Sequence, residues 1–310
     1  MQANVQNTDA IYARERRENR KKNIKDFFHR LAKNKGALVG LILLIILILI
    51  AAGADLISPY ELVTAQKAAD RLQAPSAAHI FGTDAYGRDV FARVIHGSRI
   101  SLLVGVGSAA FCLIVGGFLG AATAYFGGKF DEILMRVMDM IMAIPATLLA
   151  LSIVAALGTS MVNLVLAISI SYTPRFVRLV RSAVLPQVGM DYVEAAKASG
   201  SGNMRIIFKE IIPNAIGPVI VQATLGVGEI IISAAGLSFL GLGIEPPLPE
   251  WGKMLSEGKE VIRSSPYLVI FPGLCIMTTV LSLNLLGDGL RDALDPRLVG
   301  IQSNAFSYGV

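Results

Sequence analysis

Apolar residues recur in long runs between positions 37 and 287 of this 310-residue chain. A transmembrane helix needs about 20 mostly apolar residues, because no backbone polar group can stay unsatisfied in hydrocarbon. The segments that meet this requirement are Ala37–Leu56, Ser101–Phe126, Ile133–Leu157, Met161–Val180, Ala215–Leu242 and Tyr267–Gly287. The pattern therefore predicts an all-α membrane protein with six transmembrane helices.

The composition agrees with a membrane location. Hydrophobic residues make up 54% of the chain and charged residues 16%, which is too little charge to coat a soluble globule of this length. Cys112 and Cys275 both lie inside apolar runs, so neither a disulfide nor a metal site is expected. The three histidines, His29, His79 and His96, are scattered, and we expect them in the tail or at an interface and not as metal ligands.

The basic residues indicate the topology. The net charge is +5, but the basic side chains lie beside apolar runs and are not interleaved with aromatics, which favours a membrane signal over nucleic-acid binding. With the amino terminus inside, six spans place 20 Lys and Arg residues on the inner side and 8 on the outer side. Both termini are therefore predicted to be cytoplasmic.

The first 35 residues hold ten Lys and Arg against four acidic residues. A cleaved secretory signal is the alternative for such a tail, but the tail is too long and the following run too apolar for a typical one. We therefore predict a basic cytoplasmic tail over 1–35 that can lie on anionic lipid, a six-helix transmembrane domain over 36–290, and a cytoplasmic tail over 291–310. Residues 186–214 form the longest predicted cytoplasmic loop.

Two features of the spans indicate close packing or a functional site. Gly116 and Gly120 have the small-xxx-small spacing that lets another helix approach closely, and we expect that helix to belong to a second subunit. Glu229 lies near the middle of the fifth span, where an ionisable side chain is costly and faces a partner or a wet cavity. It either lines or gates a transport path or makes a structural hydrogen bond between helices.

The predicted outer loops have simpler interpretations. Asp84 or Asp89 is placed to cap the helix that enters the second span, with contact to an external receptor as the alternative. Three prolines and Trp251 make a rigid outer loop with an aromatic residue at the membrane interface. This loop either anchors the chain in the interface or binds an external protein.

The loop between the fourth and fifth spans has a distinctive sequence. From residue 191 it reads DYVEAAKASGSGNMRIIFKEIIPN. Residues 194–198 predict a short helix with small side chains on one face, and Gly200 with Gly202 permits a sharp turn after it. An amphipathic helix follows over 204–212, and Pro213 suits the first turn of the next span. The loop is predicted to form a helix-turn-helix that projects from the membrane.

This loop resembles the signature of the integral-membrane subunits of binding-protein-dependent ABC importers, which is EAA, three residues, Gly, nine residues, Ile, one residue and Leu-Pro. The matching positions are Glu194, Ala195, Ala196, Gly200 and Pro213. Glu210 departs from the signature Ile, and Ile212 replaces Leu. The resemblance implies that these matching residues couple the chain to separate ATPase subunits.

Further segments extend the resemblance over residues 34–298. They read NKGALVGLILL from 34, HIFGTDAYGRDVFARVIHGSRISLLVG from 79, AAGLSFLGLGIEPPLPEWGKML from 234 and NLLGDGLRDALDPRL from 284. They are similar to the second permease of dipeptide, oligopeptide and nickel importers, with the dipeptide branch the most similar. The resemblance implies the ABC importer permease fold in the cytoplasmic membrane of a prokaryote.

The energy source is expected on other chains. Neither Gly128-Lys129 nor Gly258-Lys259 fits the P-loop, which requires Gly, four residues and then Gly-Lys-Ser/Thr. No catalytic role or cofactor is therefore expected for this chain. The resemblance implies a homologous second permease, two ATPase subunits that use ATP and Mg²⁺, and an extracytoplasmic solute-binding protein. A nickel chelate or a glutathione-like peptide is an alternative cargo, and an ion-coupled secondary transporter is an alternative class that Glu229 alone would support.

Overall fold

The computed structural model describes residues 27–294, so most of both predicted tails, 1–35 and 291–310, lies outside the described residues. Within that range the chain is helical apart from turns and one isolated antiparallel bridge between Thr83 and Asp89. The principal helices are α1 (Lys35–Ala52), α2 (Val90–Phe126), α3 (Gly128–Met142), α4 (Ala146–Leu157), α5 (Met161–Val188), α6 (Asp191–Ala198), α7 (Asn203–Leu242), α8 (Trp251–Gly258) and α9 (Tyr267–Leu294). The predicted all-α fold is confirmed.

Helices α1, α2, α7 and α9 are each long and apolar enough to cross a membrane. They contain most of the first, second, fifth and sixth predicted spans. α1 is apolar all round, and its exposed side chains include Leu38, Val39 and Ile42. One side of α1 packs on α9, but these exposed side chains are not covered by the described residues, so lipid or another membrane protein has to cover them.

The third predicted span is not one straight helix. Its residues belong to α3 and α4, which meet at an angle of 82°. Pro145 lies at the break and cannot donate a backbone hydrogen bond, and the residue before a proline is disfavoured in helical geometry. The segment predicted as a span over Ile133–Leu157 is therefore divided between two helices. The two helices together can still make one broken span.

The fourth predicted span lies in α5, a helix of 28 residues. Its second half carries Arg175, Arg178 and Arg181, and it does not meet the criterion of length and apolar composition that the other four helices meet. By that criterion the described residues contain four spans, or five if the bent pair counts as one. The count of six stays a prediction.

Both ends of α2 are set by capping residues. The Asp89 side chain accepts a hydrogen bond from the Ala92 amide at 2.9 Å, so of the two predicted candidates, Asp84 and Asp89, it is Asp89 that caps the helix. Gly127 ends the helix with a φ of +61°, a value that favours glycine. At 37 residues the helix is about 55 Å long, so it extends well beyond a hydrocarbon core of about 30 Å.

The glycines of α2 permit its closest contact, which is with α5. A Cβ atom on Gly120 would lie 2.4 Å from the Val177 carbonyl oxygen, and one on Gly116 would lie 2.7 Å from the Phe176 Cβ. The predicted close approach is confirmed, but the neighbouring helix belongs to the same chain. The expectation that these glycines face a second subunit is wrong, because α5 already fills that face.

The segment before α9 folds back onto α2. Glu250 caps α8 by accepting hydrogen bonds from the Gly252 and Lys253 amides, both at 2.8 Å. Trp251 is only 1% exposed, and its indole Nε1 donates to the Val94 carbonyl at 3.0 Å. The prediction of an interfacial aromatic is wrong, since the ring is enclosed by protein.

His96 was also expected in a tail or at an interface. It is buried in α2, and its Nε2 lies 2.8 Å from the Ser58 carbonyl oxygen. The side chain therefore holds the segment after α1 against α2.

The contact between α2 and α5 can be tested with two glycines three positions apart. Gly120→Ala would force a methyl group against the backbone of α5 and should lower the free energy of unfolding by about 1–3 kcal/mol. Gly117→Ala is the control, because no atom lies within 4 Å of its added Cβ. The thermal unfolding midpoint of the purified complex measures both effects, and equal midpoints for the two variants would contradict the packing argument.

Candidate functional site: a helix hairpin and a charged pair

α6 ends in a turn that depends on Gly200. Gly200 has a φ of +76°, as the position of the glycine after the helix predicted. Its amide donates to the Lys197 carbonyl at 3.0 Å, and the Ser201 amide donates to the Ala196 carbonyl at 3.1 Å. These two bonds form a Schellman motif, which satisfies the last carbonyls of the helix and reverses the chain. The predicted helix-turn-helix is confirmed.

One side of α6 is anchored and the other is open. Val193 is fully buried in a cluster that includes Ile206 and Val184, so it fixes the helix to α7 and α5. Glu194, Ala195 and Gly200 are exposed, and Ala196 is half-buried. The helix therefore presents its small residues outward on a firmly attached support.

The second arm of the hairpin continues directly into α7. Residues Ile206–Ile211 form a widened π-helical turn, in which the Ile212 amide donates to the Ile207 carbonyl five residues earlier. Pro213 follows at once and lies in the first turn of the regular α-helical segment, as predicted. Because proline has no amide donor, the hydrogen-bond ladder has to change at this point.

Tyr125, at the end of α2, holds the hairpin in place. Its hydroxyl donates to Asn203 Oδ1 at 2.9 Å, and the Lys197 ammonium lies 5.3 Å from the centre of its ring. Sequence reasoning did not identify Tyr125, because it lies 78 positions from Asn203. The hairpin is thus connected to α2 as well as to α5 and α7.

Glu229 forms an ion pair with Arg175 across the contact between α7 and α5. The two guanidinium nitrogens bond the two carboxylate oxygens, and the Nη2–Oε1 distance is 3.1 Å. The side chains are 55% and 47% exposed for Arg175 and Glu229. Sequence reasoning selected Glu229 but counted Arg175 among the charges of the inner loop. The structure instead places Arg175 inside α5 and opposite Glu229.

Two further arginines of α5 are paired with α3. Arg178 bonds Asp139, and Arg181 makes two bonds of 2.6 Å to Asp131. The arginines at every third position therefore connect α5 to two different helices. Each arginine of this row has a carboxylate partner within the chain.

A buried charge network lies at the other end of α2. Arg88 and Arg93 are 3% and 2% exposed, and both donate to Asp84 Oδ2 at 2.6 Å. Both also bond Glu257 of α8, at 2.9 and 2.7 Å. Asp84, the other candidate cap, binds these two arginines and does not cap α2. It joins the turn before α2 to α8, and this structural role was not predicted.

Within residues 27–294, no group of three or more His, Cys, Asp or Glu side chains is arranged to hold a metal ion. Two surfaces of the described residues carry the predicted candidate residues, namely the hairpin with its exposed α6 and the charged pair on the contact between α5 and α7.

A continuous helical fold with a projecting α6 hairpin is the architecture of an ABC importer permease. Residues 113–300 match the family described as the binding-protein-dependent transport system inner membrane component. Residues 23–75 match the N-terminal transmembrane domain of oligopeptide transport permease C. The chain belongs to this family of inner-membrane transport components.

Curated relatives match over most of their length. The dipeptide transport system permease protein DppC of Alkalihalophilus pseudofirmus is 48% identical over 274 residues, which cover 88% of this chain and 90% of the relative. The glutathione transport system permease protein GsiD of Pectobacterium atrosepticum is 42% identical over 275 residues, covering 88% and 91%. Both are described as permease subunits of transport systems.

A solved structure of the MetNI methionine ABC transporter, described as inward facing, is similar in fold. The TM-score is 0.54, and the match covers 66% of this chain and 97% of that chain. At 17% identity this likeness concerns the fold alone.

The buried network near α8 gives a test of stability. Asp84→Asn keeps an oxygen for the Tyr86 and Arg88 amides but removes the negative charge that two buried arginines share. Breaking a buried ion pair by removing one partner costs about 3–5 kcal/mol. The thermal midpoint of the purified complex should therefore fall strongly.

Glu260→Gln is the control for this prediction. Glu260 follows α8 closely in sequence but is exposed, so its neutralisation should leave the midpoint within a degree or so of the wild type. A midpoint that Asp84→Asn leaves unchanged would show that the network does not stabilise the fold.

Proposed function

We propose that this chain is a permease subunit of an ATP-driven importer that moves dipeptides across the cytoplasmic membrane of a prokaryote. The observation that carries the proposal is the exposed small-residue face of α6, which Val193 fixes to the transmembrane helices. A short helix with small side chains can enter a groove of another protein. The family match extends from this hairpin through the helices that it joins.

The proposed partners on the inner side are two ATPase subunits that use ATP and Mg²⁺. Glu194, Ala195, Ala196, Gly200 and Pro213 form or support the docking surface. When the ATPases close on ATP, they move α6, and the attached helices follow. The motion reaches α7 through the Val193 cluster and α2 through the hydrogen bond between Tyr125 and Asn203. Alternating access results when nucleotide binding favours one of two packings.

A homologous second permease and an external solute-binding protein complete the proposed importer. The second permease covers part of the exposed apolar surface, lipid covers the rest, and the path runs between the two permeases. We place Glu229 on that path, because an ionised side chain that is 47% exposed on a long apolar helix needs a wet or protein environment.

Dipeptides are the favoured cargo because the relative with 48% identity is named as a dipeptide permease. A glutathione-like peptide is the second candidate, supported by a relative with 42% identity. Uptake of labelled dipeptide and labelled glutathione by a strain that lacks this chain, with and without complementation, separates the two.

An ion-coupled secondary transporter would need neither α6 nor an ATPase. Copurification of the tagged chain with ATPase subunits supports the importer. A purified chain that transports peptide alone in liposomes, driven by an ion gradient, would refute it.

The proposed orientation places both termini and the α6 hairpin in the cytoplasm. A cysteine at Ser201, in the hairpin turn, should react with an impermeant maleimide only after the membrane is opened. A cysteine at Ser76, in the exposed segment before α2, should react in intact cells. Variants that lack Cys112 and Cys275 supply the background, and labelling of Ser201→Cys in intact cells would reverse the topology.

The turn at Gly200 should matter more for coupling than the charge at Glu194. Gly200→Val places a β-branched side chain at a φ of +76°, which costs about 1–3 kcal/mol of local strain although no neighbour obstructs the side chain. ATP-driven uptake by reconstituted complexes of normal composition should fall several-fold. Glu194→Gln keeps size and helix propensity and should have a smaller effect.

Gly202→Val is the matched control for the turn. Gly202 is also exposed and unobstructed, but its φ is −68° and its ψ is 150°, a conformation that valine adopts readily. Wild-type uptake and ATP coupling in Gly200→Val would contradict the assignment of this hairpin as the coupling element.

A further inference from the structure

We propose that Arg175 and Glu229 form a binding site for the two charged ends of a zwitterionic peptide within the transport path. The inference rests on the proposed function, because it assumes that the contact between α5 and α7 faces the path. It adds which atoms recognise the cargo. Arg175 would take the terminal carboxylate, and Glu229 would take the terminal ammonium.

Glu229 lies well inside a long apolar helix, where a charged side chain needs a polar partner. Glu229 is 13 positions before the end of α7 at Leu242, and α7 is long and apolar enough to cross the membrane. About half of each side chain is nevertheless exposed on the chain surface. An ion pair exposed to hydrocarbon is costly, so this face opens to water or to another protein.

The hollow beside the pair is lined by both polar and apolar residues. Tyr172, Gln222 and Phe176 line the same small hollow of about 40 Å³, and Gly226 has no side chain to fill it. The Tyr172 hydroxyl is fixed by a hydrogen bond of 2.8 Å with Ser233, which lies one turn after Glu229 on α7. A hollow of this size can take an end group of a peptide, and the rest of the cargo would lie outside it, in the path between the two permeases.

The charge balance favours a zwitterion over an anionic lipid headgroup. Arg175 and Glu229 carry no net charge together, and the next two arginines of α5 are paired with Asp139 and Asp131. The three arginines of α5 therefore offer no excess positive charge to a phosphate group. A zwitterion exchanges one ion pair for two and leaves no charge without a partner.

The exchange also explains why both charges lie on the path. Without cargo, the two side chains neutralise each other, so neither attracts a free ion. The ends of an extended dipeptide are about 7 Å apart, so the pair has to separate on binding. Arg175 has a long flexible stem that permits this movement, and its guanidinium can bind a carboxylate through two parallel bonds.

The test measures binding to the nucleotide-free complete complex in nanodiscs, without the solute-binding protein. Saturation-transfer NMR titrations use three probes: glycyl-leucine, its N-acetyl derivative and its C-terminal amide. Glu229→Gln should weaken the binding of glycyl-leucine by at least about tenfold. It should not weaken the binding of the N-acetyl probe, because the substitution removes the carboxylate that competes with the probe for Arg175. Arg175→Gln should also weaken glycyl-leucine and leave the amide unchanged.

Arg178→Gln is the matched control. It breaks a similarly exposed pair one turn further along α5, with Asp139, but Arg178 does not line the hollow. Its affinities for all three probes should equal those of the wild type.

Several results would overturn the site. One is that glycyl-leucine gives no saturable signal with the wild type. Another is that both variants lose affinity for all three probes equally. The third is that Arg178→Gln changes the probe affinities in the same way as the two site variants. Nanodiscs with and without phosphatidylglycerol test the headgroup alternative, and loss of retained anionic lipid in the variants without a change in peptide affinity would favour it. ATP-driven uptake is measured in parallel. If the wild type takes up peptide but the two variants do not lose affinity selectively according to the charged end of the probe, this site alone is refuted. If no peptide is taken up with ATP, the proposed function is refuted.

Discussion

The close contact between α2 and α5 positions most of the features described above. At Gly116 and Gly120 the backbones approach so closely that a single methyl group would overlap the opposing chain. Helices in a membrane gain little from the hydrophobic effect when they associate, so tight van der Waals packing between small residues has to provide the attraction. This contact fixes the rotation of α5, and with it the directions in which its three arginines point.

α2 connects both ends of the molecule because it is longer than the bilayer is thick. At one end Asp89 caps it, and Arg93 joins it to Asp84 and Glu257. At the other end Tyr125 holds the hairpin at Asn203. A movement of the hairpin is therefore passed to α2, and the other end of α2 is bound to α8 through Glu257. Such an arrangement suits the proposed conversion of an ATPase stroke into movement of whole helices.

Two groups of paired charges among the described residues differ in their burial. The network of Asp84, Arg88, Arg93 and Glu257 is largely buried and joins a turn to α8, whereas the pair of Arg175 and Glu229 is half-exposed beside a hollow. Buried charges that are fully paired fix one arrangement, because separating them is costly. A half-exposed pair can exchange partners at lower cost. The same chemistry therefore supports a structural role at one place and a binding role at the other.

Sequence alone determined the membrane class, four of the apolar helices and the glycine turn at Gly200, because each depends on residues that are close together in the chain. It left the N-cap of α2 open between Asp84 and Asp89. It did not determine the bend at Pro145 within the third span, the burial of Trp251, or the partner of Glu229. Arg175 and Glu229 are 54 positions apart, and Trp251 and Val94 are 157 apart. Such contacts depend on which faces of the helices meet. That choice was made by the packing of α2 against α5, since periodicity identifies an apolar face but not the helix that covers it.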